Sequence, residues 1–379
     1  SIAMIHHRGI ATIWVYIVVA LCVFVFPAGM GGATAATTPD VFEVSSIRVD
    51  VTAETASGAK DKALSEGHEL AFRRLLERLT QRAHHDQLPT PSAADIESYV
   101  SDFSIAQEKS STTRYLATLN FRFKREEIRN LLTDHGIRFA ETSSKPVLVL
   151  AVYEEAGAVY LWDTPNPWRE AWEASPPTDG LVPMVLPLGD LTDIAAIGAE
   201  QAARGDMQRL MAIGERYGTD DVLVAHGVRG IDTRGTPMLE VTISRYGSPG
   251  SEQTLVRTFT SQNQEPAEIM LVRAVAEIAV EIEDGWKRDN QLQFEKPAIL
   301  AVRVPISGLG EWISVRDRLS GVALIRRTDV VLLSRSEVRA NLHFIGSDDQ
   351  LTVALAQADL TLSRNENEDW MLRSQRKAP

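Results

Sequence analysis

The stretch Val338–Gln357, VRANLHFIGSDDQLTVALAQ, changes its apolar period from two to nearly four around one serine. Val338, Ala340, Leu342 and Phe344 alternate with Arg339, Asn341 and His343, the spacing of a strand with one buried face. Gly346 breaks that run, and Ser347 stands where an N-cap belongs, so a helix is expected over Asp348–Gln357. Upstream, Ile299–Ile306 reads as a strand and Glu311–Leu319 as a helix with Trp312, Val315 and Leu319 on one stripe. Val322–Arg326 and Val330–Ser334 read as two short strands, and Leu360–Ser363 with Trp370–Leu372 close the unit. The order is close to β-α-β-β-α-β, the split ferredoxin-like pattern, over residues 297–373.

The preceding segment, residues 145–290, predicts an α/β domain. Pro146–Val152 (PVLVLAV) is nearly all apolar, as a strand buried on both faces would be. Asp206–Tyr217 is a helix ended by Gly218, and Asp221–His226 (DVLVAH) a second buried strand. Met238–Tyr246 and Thr254–Thr260 read as a hairpin through Gly247-Ser248-Pro249-Gly250, followed by a long helix over Ala267–Trp286.

Residues 41–137 predict a small α+β unit of order β-α-α-β-β-α. Phe42–Val51 is a broken alternation, and Ser57 is the expected N-cap of a long helix on which Ala63, Gly67, Ala71 and Leu75 step by four. Small residues early on that stripe imply close packing onto a sheet. The fold expected is therefore α+β and α/β: three small mixed domains.

Before them, Ile10–Phe26 (IATIWVYIVVALCVFVF) carries no charge, follows His6, His7 and Arg8, and leads through Pro27-Ala28-Gly29 to Ala33-Thr34-Ala35. That order is the pattern of a secretory signal peptide over residues 1–35. The alternative keeps the run as an inner-membrane anchor, since spanning needs roughly 17–25 apolar residues. Cys22, the single cysteine, lies inside the run behind Leu21, whereas lipid attachment requires a small residue at that place. Cleavage thus leaves a chain without thiol chemistry, as suits the periplasm.

A net charge of −12 with no basic block excludes nucleic acid as a natural partner and disfavours anionic lipid. Phosphate-loop motifs are absent, and Gly227-Val228-Arg229-Gly230 is read as a turn rather than a cradle. His84-His85-Asp86 reads as a solvated helix end, not a metal site; no metal or other cofactor is expected. Nothing marks a serine nucleophile. The paired acids Glu126-Glu127, Glu154-Glu155, Asp220-Asp221 and Asp348-Asp349 read as caps and solvated faces, so no catalytic residue is assigned.

One stretch is unusual: Leu161–Gly180, LWDTPNPWREAWEASPPTDG. Asn166-Pro167 starts a helix and puts Trp168 and Trp172 on one face. With Trp162 they could stack on a glycan or small ligand; the preferred reading is that the rings cap the sheet as core.

The Phe42–Thr80 segment (FEVSSIRVDVTAETASGAKDKALSEGHELAFRRLLERLT), RYLATLNFRF, the Trp162–Trp172 segment and the third unit resemble an uncharacterised exported proteobacterial family, a domain of unknown function, over nearly the whole chain after residue 35. The strand leading into an Ala-spaced helix is more loosely similar to the N-terminal domain of the flagellar H-ring protein FlgT. The second unit's helix followed by DVLVAH is similar to the N-terminal domain of TolB. These resemblances imply assembly rather than chemistry. The function expected is that of a non-enzymatic periplasmic envelope protein with a protein partner or a second copy of itself. A ligand-binding module through the tryptophans is the alternative, and a hydrolase with dispersed acids a weaker one.

Overall fold

In the computed structural model the described residues are 40–175, 179–247, 254–292 and 297–375, so Ile10–Phe26, Cys22 and Ala33-Thr34-Ala35 lie outside them. The first unit runs β1 (Glu43–Thr52), α1 (Ala56–Leu79), α2 (Ala93–Tyr99), β2 (Val100–Ser110), β3 (Arg114–Phe123) and α3 (Arg125–Asp134). Its sheet has the order β1-β3-β2, antiparallel throughout. Ala59, Ala63, Gly67, Ala71 and Leu75 form the buried stripe of α1. At Gly67 an added Cβ would stand 2.6 Å from Leu119 Cδ1, so the helix approaches the sheet more closely there than any side chain allows. The N-cap is Thr55, not Ser57: Thr55 Oγ1 accepts from the Gly58 amide at 3.0 Å, and Ser57 already lies within the helix.

The second unit comprises β4 (Val147–Glu155), β5 (Ala158–Tyr160), α4 (Pro167–Ala174), β6 (Met184–Val185), α5 (Leu191–Ala196), α6 (Ala199–Ala203) and α7 (Met207–Arg216). It continues with β7 (Val222–Ile231), β8 (Pro237–Tyr246), β9 (Thr254–Thr260) and α8 (Ala267–Asp289). The sheet order is β5-β4-β7-β8-β9, with β6 beside β4 and the β4–β7 pair parallel. Both faces of β4 are covered, which explains its unbroken apolar run. Val147, Val149 and Ala151 join the cluster under α4 and α8, while Leu148, Leu150 and Val152 join that under α6 and α7. Gly227–Gly230 is not a turn. It lies inside β7 and pairs with Val241–Met238 of β8, a partner that carries the strand past the point where its apolar pattern stops. Of the turn expected between β8 and β9, Ser248-Pro249-Gly250 lies outside the described residues.

The third unit is β10 (Pro297–Pro305), α9 (Leu309–Ser320), β11 (Ile325–Leu333), β12 (Glu337–Ile345), α10 (Asp348–Gln357), β13 (Leu360–Arg364) and β14 (Trp370–Ser374). Ser347 caps α10 in a capping box with Gln350. The two short strands expected over residues 322–334 are one strand, β11, with irregularities between Ile325 and Arg327 and between Val330 and Leu332. The sheet order is β11-β12-β10-β14-β13. Both split crossovers of the ferredoxin-like pattern are present, but β13 does not reach β10. The hairpin arm β14 is inserted between them and runs parallel to β10.

These units belong to one compact body, Asp40–Pro379. The first and third share a continuous apolar cluster running from Phe42 through Ile128, Leu132, Phe139 and Leu292 to Phe344 and Leu351. The second joins the first at the C-terminal ends of α1 and α8, where Lys287 Nζ donates to the carbonyls of Glu77 and Thr80 at 3.1 Å each. Lys287 thereby supplies a cation at the negative end of the α1 dipole. Among the described residues no helix is long and apolar enough to cross a membrane.

Candidate functional site

The α4 tryptophans come first. Asn166 caps α4, its side chain accepting from the Arg169 amide, with Pro167 at the first helical position. Trp168 and Trp172 do share a face, but it is turned inward. Trp168 is 0% exposed and donates from Nε1 to the Ala225 carbonyl at 2.9 Å; Gly227 leaves room for the ring, since a Cβ there would meet it at 3.2 Å. Trp172 is buried edge-on to Trp168, with ring centroids 5.8 Å apart. Neither ring has a face open to a glycan. Trp162 is half-buried, donates to the Ile197 carbonyl at 2.7 Å, and is overlaid by the Arg169 guanidinium.

Charged side chains fare similarly. Glu126 pairs with Arg129 and Arg326, and Asp221 with Arg245 through two bonds of 2.9 and 2.6 Å. Asp348 and Asp349 sit in the first turn of α10. His85 Nε2 meets the Thr80 carbonyl rather than His84. Among the described residues no three His, Cys, Asp or Glu side chains gather as metal ligands would. Sequence reasoning missed one contact, His226 Nε2 to Glu154 Oε2 at 2.8 Å. It arises from the parallel register of β4 and β7, and no local pattern announces a register.

Two groups of buried charges stand out. Arg129 and Glu141 form a pair buried on both sides, with Nε to Oε2 at 2.8 Å; desolvation raises the Glu141 pKa against the opposing pull of Arg129. At the α8 junction the Glu283 carboxylate accepts from the Leu181 and Val182 amides at 3.0 and 2.9 Å. Arg78 donates to the carbonyls of Val41 and Glu43 and to the Asp179 carboxylate. Desolvation raises the Glu283 pKa and lowers that of Lys287. These groups are saturated by protein contacts and act as fasteners.

An exposed apolar surface lies on the third sheet. β11 is one of its two outer strands, and Val330, Val331 (64% exposed), Leu332 and Leu333 follow one another along it in solvent. Leu309 and Ile313 of α9 are exposed as well. Between the two elements an open concavity of about 450 Å³ is lined by Ser307, Gly308, Leu309, Leu333, Ser334 and Arg335.

No family model matches the chain, and no curated protein matches it. Among solved structures, the PelC dodecamer from Paraburkholderia phytofirmans is similar at 10% identity and a TM-score of 0.22, over 37% of this chain and 88% of that one. The lipoprotein GNA1162 from Neisseria meningitidis is similar at 15% identity and a TM-score of 0.23, over 36% and 95%. Likenesses at such TM-scores bear on neither fold nor function.

Proposed function

We propose that this chain is an exported envelope protein that works by protein–protein contact and carries out no chemical step. The observation that supports the reading is the exposed apolar run Val330–Leu333 on an outer strand, beside Leu309 and Ile313. Soluble proteins blunt such strands with charge, proline or a covering element, and an outer strand left bare over four apolar residues is a surface for another chain. Export rests on the N-terminal apolar run and its small-residue exit, and membership of the exported family that Phe42–Thr80 resembles belongs to the same proposal.

A photo-crosslinking residue placed at Leu332 tests the contact in living cells. A single defined protein adduct, missing when the crosslinker sits at exposed Glu366, is the expected result; absence of any adduct at Leu332 would overturn the reading. N-terminal sequencing tests export: a first residue of Ala36 or Thr37 means cleavage, and a start at Met4 means retention as an anchor.

A further inference from the structure

The helix side of the third sheet is covered unevenly. Val330 and Leu333 pair with Ala340 and Val338, and directly opposed side chains of a strand pair share a face. Ala340 and Val338 are buried in one cluster with Trp312, Val315 and Leu319 of α9. Val330 and Leu333 therefore point to the side that α9 covers, yet they are 48% and 53% exposed. Layer widths give the reason. A helix is about 10 Å across and strands lie ~4.8 Å apart, so one helix covers about two strands. The described residues of this unit supply two helices for five strands, and α10 packs against β13 at the far edge. The place over β11, beside α9, is left without a helix.

α9 presents a matching flank to that place. Arg318 donates to the Asp359 carbonyl at 3.2 Å, just before β13, which marks the side of α9 turned toward α10. Leu309, Ile313 and Arg316, spaced by four and three, form the opposite flank. Leu309 and Ile313 are exposed, and Leu309 lines the concavity together with Leu333. The groove is thus apolar on both walls. Its ends are basic: Arg335 lines the concavity at one end, and Arg316 stands about two turns along α9 from Leu309. Both arginines are exposed, and among the described residues neither has an ion-pair partner. Residues 303–339 carry seven arginines against four acids, in a chain whose net charge is −12.

We infer that the groove between β11 and α9 receives an α-helix of another protein, apolar toward Leu309, Ile313, Val330 and Leu333 and acidic where it passes Arg316 and Arg335. A helix is the occupant because the gap is a place in a helix layer, with a strand beneath it and a helix beside it. Acidic flanks follow from charge complementarity, since a basic helix would set like charge against both guanidinium groups. The inference rests on the contact reading above and adds to it the class of partner.

The test is a photo-crosslinking residue at Ile313 of the full-length protein in living cells, with the attached partner peptide sequenced. That peptide is expected to come from another protein and to carry apolar residues three and four apart beside Asp or Glu. Arg316→Glu combined with Arg335→Glu is expected to lower the adduct yield about fivefold or more, while Arg316→Lys with Arg335→Lys keeps it near the wild type. Unchanged thermal midpoints show that these variants are folded. Two synthetic helical peptides of about five turns, with one leucine face and either Glu or Lys flanks, give the reading in vitro. The purified wild type is expected to bind the Glu peptide about fivefold or more tighter than the Lys peptide, and the double Glu variant to reverse that order.

A partner peptide with basic flanks, a peptide of this chain itself, a lipid adduct, or no adduct at Ile313 would each overturn the inference. So would an adduct yield indifferent to the double Glu variant, or equal affinity for the two synthetic peptides. An adduct at Leu332 with none at Ile313 leaves contact through β11 standing and removes the groove as its seat; adducts at neither remove both.

Discussion

Trp168 and Trp172 have the same spacing, the same helix and nearly the same burial, yet their polar atoms differ. The Trp168 indole N–H has the Ala225 carbonyl, whereas that of Trp172 has no bonding partner. Trp168→Phe is therefore expected to cost about 1 kcal/mol more than Trp172→Phe, and Trp168→Ala about 3–5 kcal/mol in all, measured by chemical denaturation. The sequence reveals that the two rings share a face. Which way the face turns depends on Gly227, far along the chain, and on β8 extending β7 to reach it. Glu283 supplies a pH signature. Burial raises its pKa above the ordinary 4.5, so its contribution to stability is full below that value and fades as the pH rises through the raised one. Compared with Glu283→Gln, which stays neutral, the wild type is expected to lose stability as the pH rises above the ordinary glutamate range. Denaturation midpoints of both proteins across that window check the sign.

Elements with their own amphipathic period were readable. α7, α8 and α10 lie within about one helical turn of where the apolar spacing puts them, and β4 announces its two covered faces. Features decided by a neighbour were not. β11 looks like two strands because Arg326, Arg327 and Asp329 interrupt its apolar residues, and an outer strand tolerates charges that a central one would not. Its exposure was unreadable for the same reason: Val330–Leu333 is a core-like run until the sheet order leaves it at the rim. The insertion of β14 beside β10 rests on non-local pairing and has no sequence mark. Gly67 shows the reverse case, a small residue whose meaning was legible. Gly67→Ala improves helix propensity yet drives a Cβ to 2.6 Å from Leu119 Cδ1, so a net loss of about 1–3 kcal/mol is expected by thermal or chemical denaturation.

At the scale of the molecule, three units read separately along the sequence are fastened by groups far apart in it. The common cluster of the first and third units passes through α3, Phe139 and Leu292, and the ion pair Arg326–Glu126 joins α3 to β11. Separate melting of those two units would expose apolar surface that each now covers for the other. Calorimetry is expected to show them unfolding in one transition; two resolved transitions assigned to them by exchange protection would contradict the shared cluster. Arg78 has a mechanical consequence. It grips the carbonyls of Val41 and Glu43 where the chain enters β1, and its other bonds run to Asp179 beside the second unit. Tension applied through the residues before Asp40 meets this guanidinium clamp before it loads the β1–β3 ladder. A pull on the N-terminal segment is thus spread over two units at once, so the body resists being drawn open strand by strand.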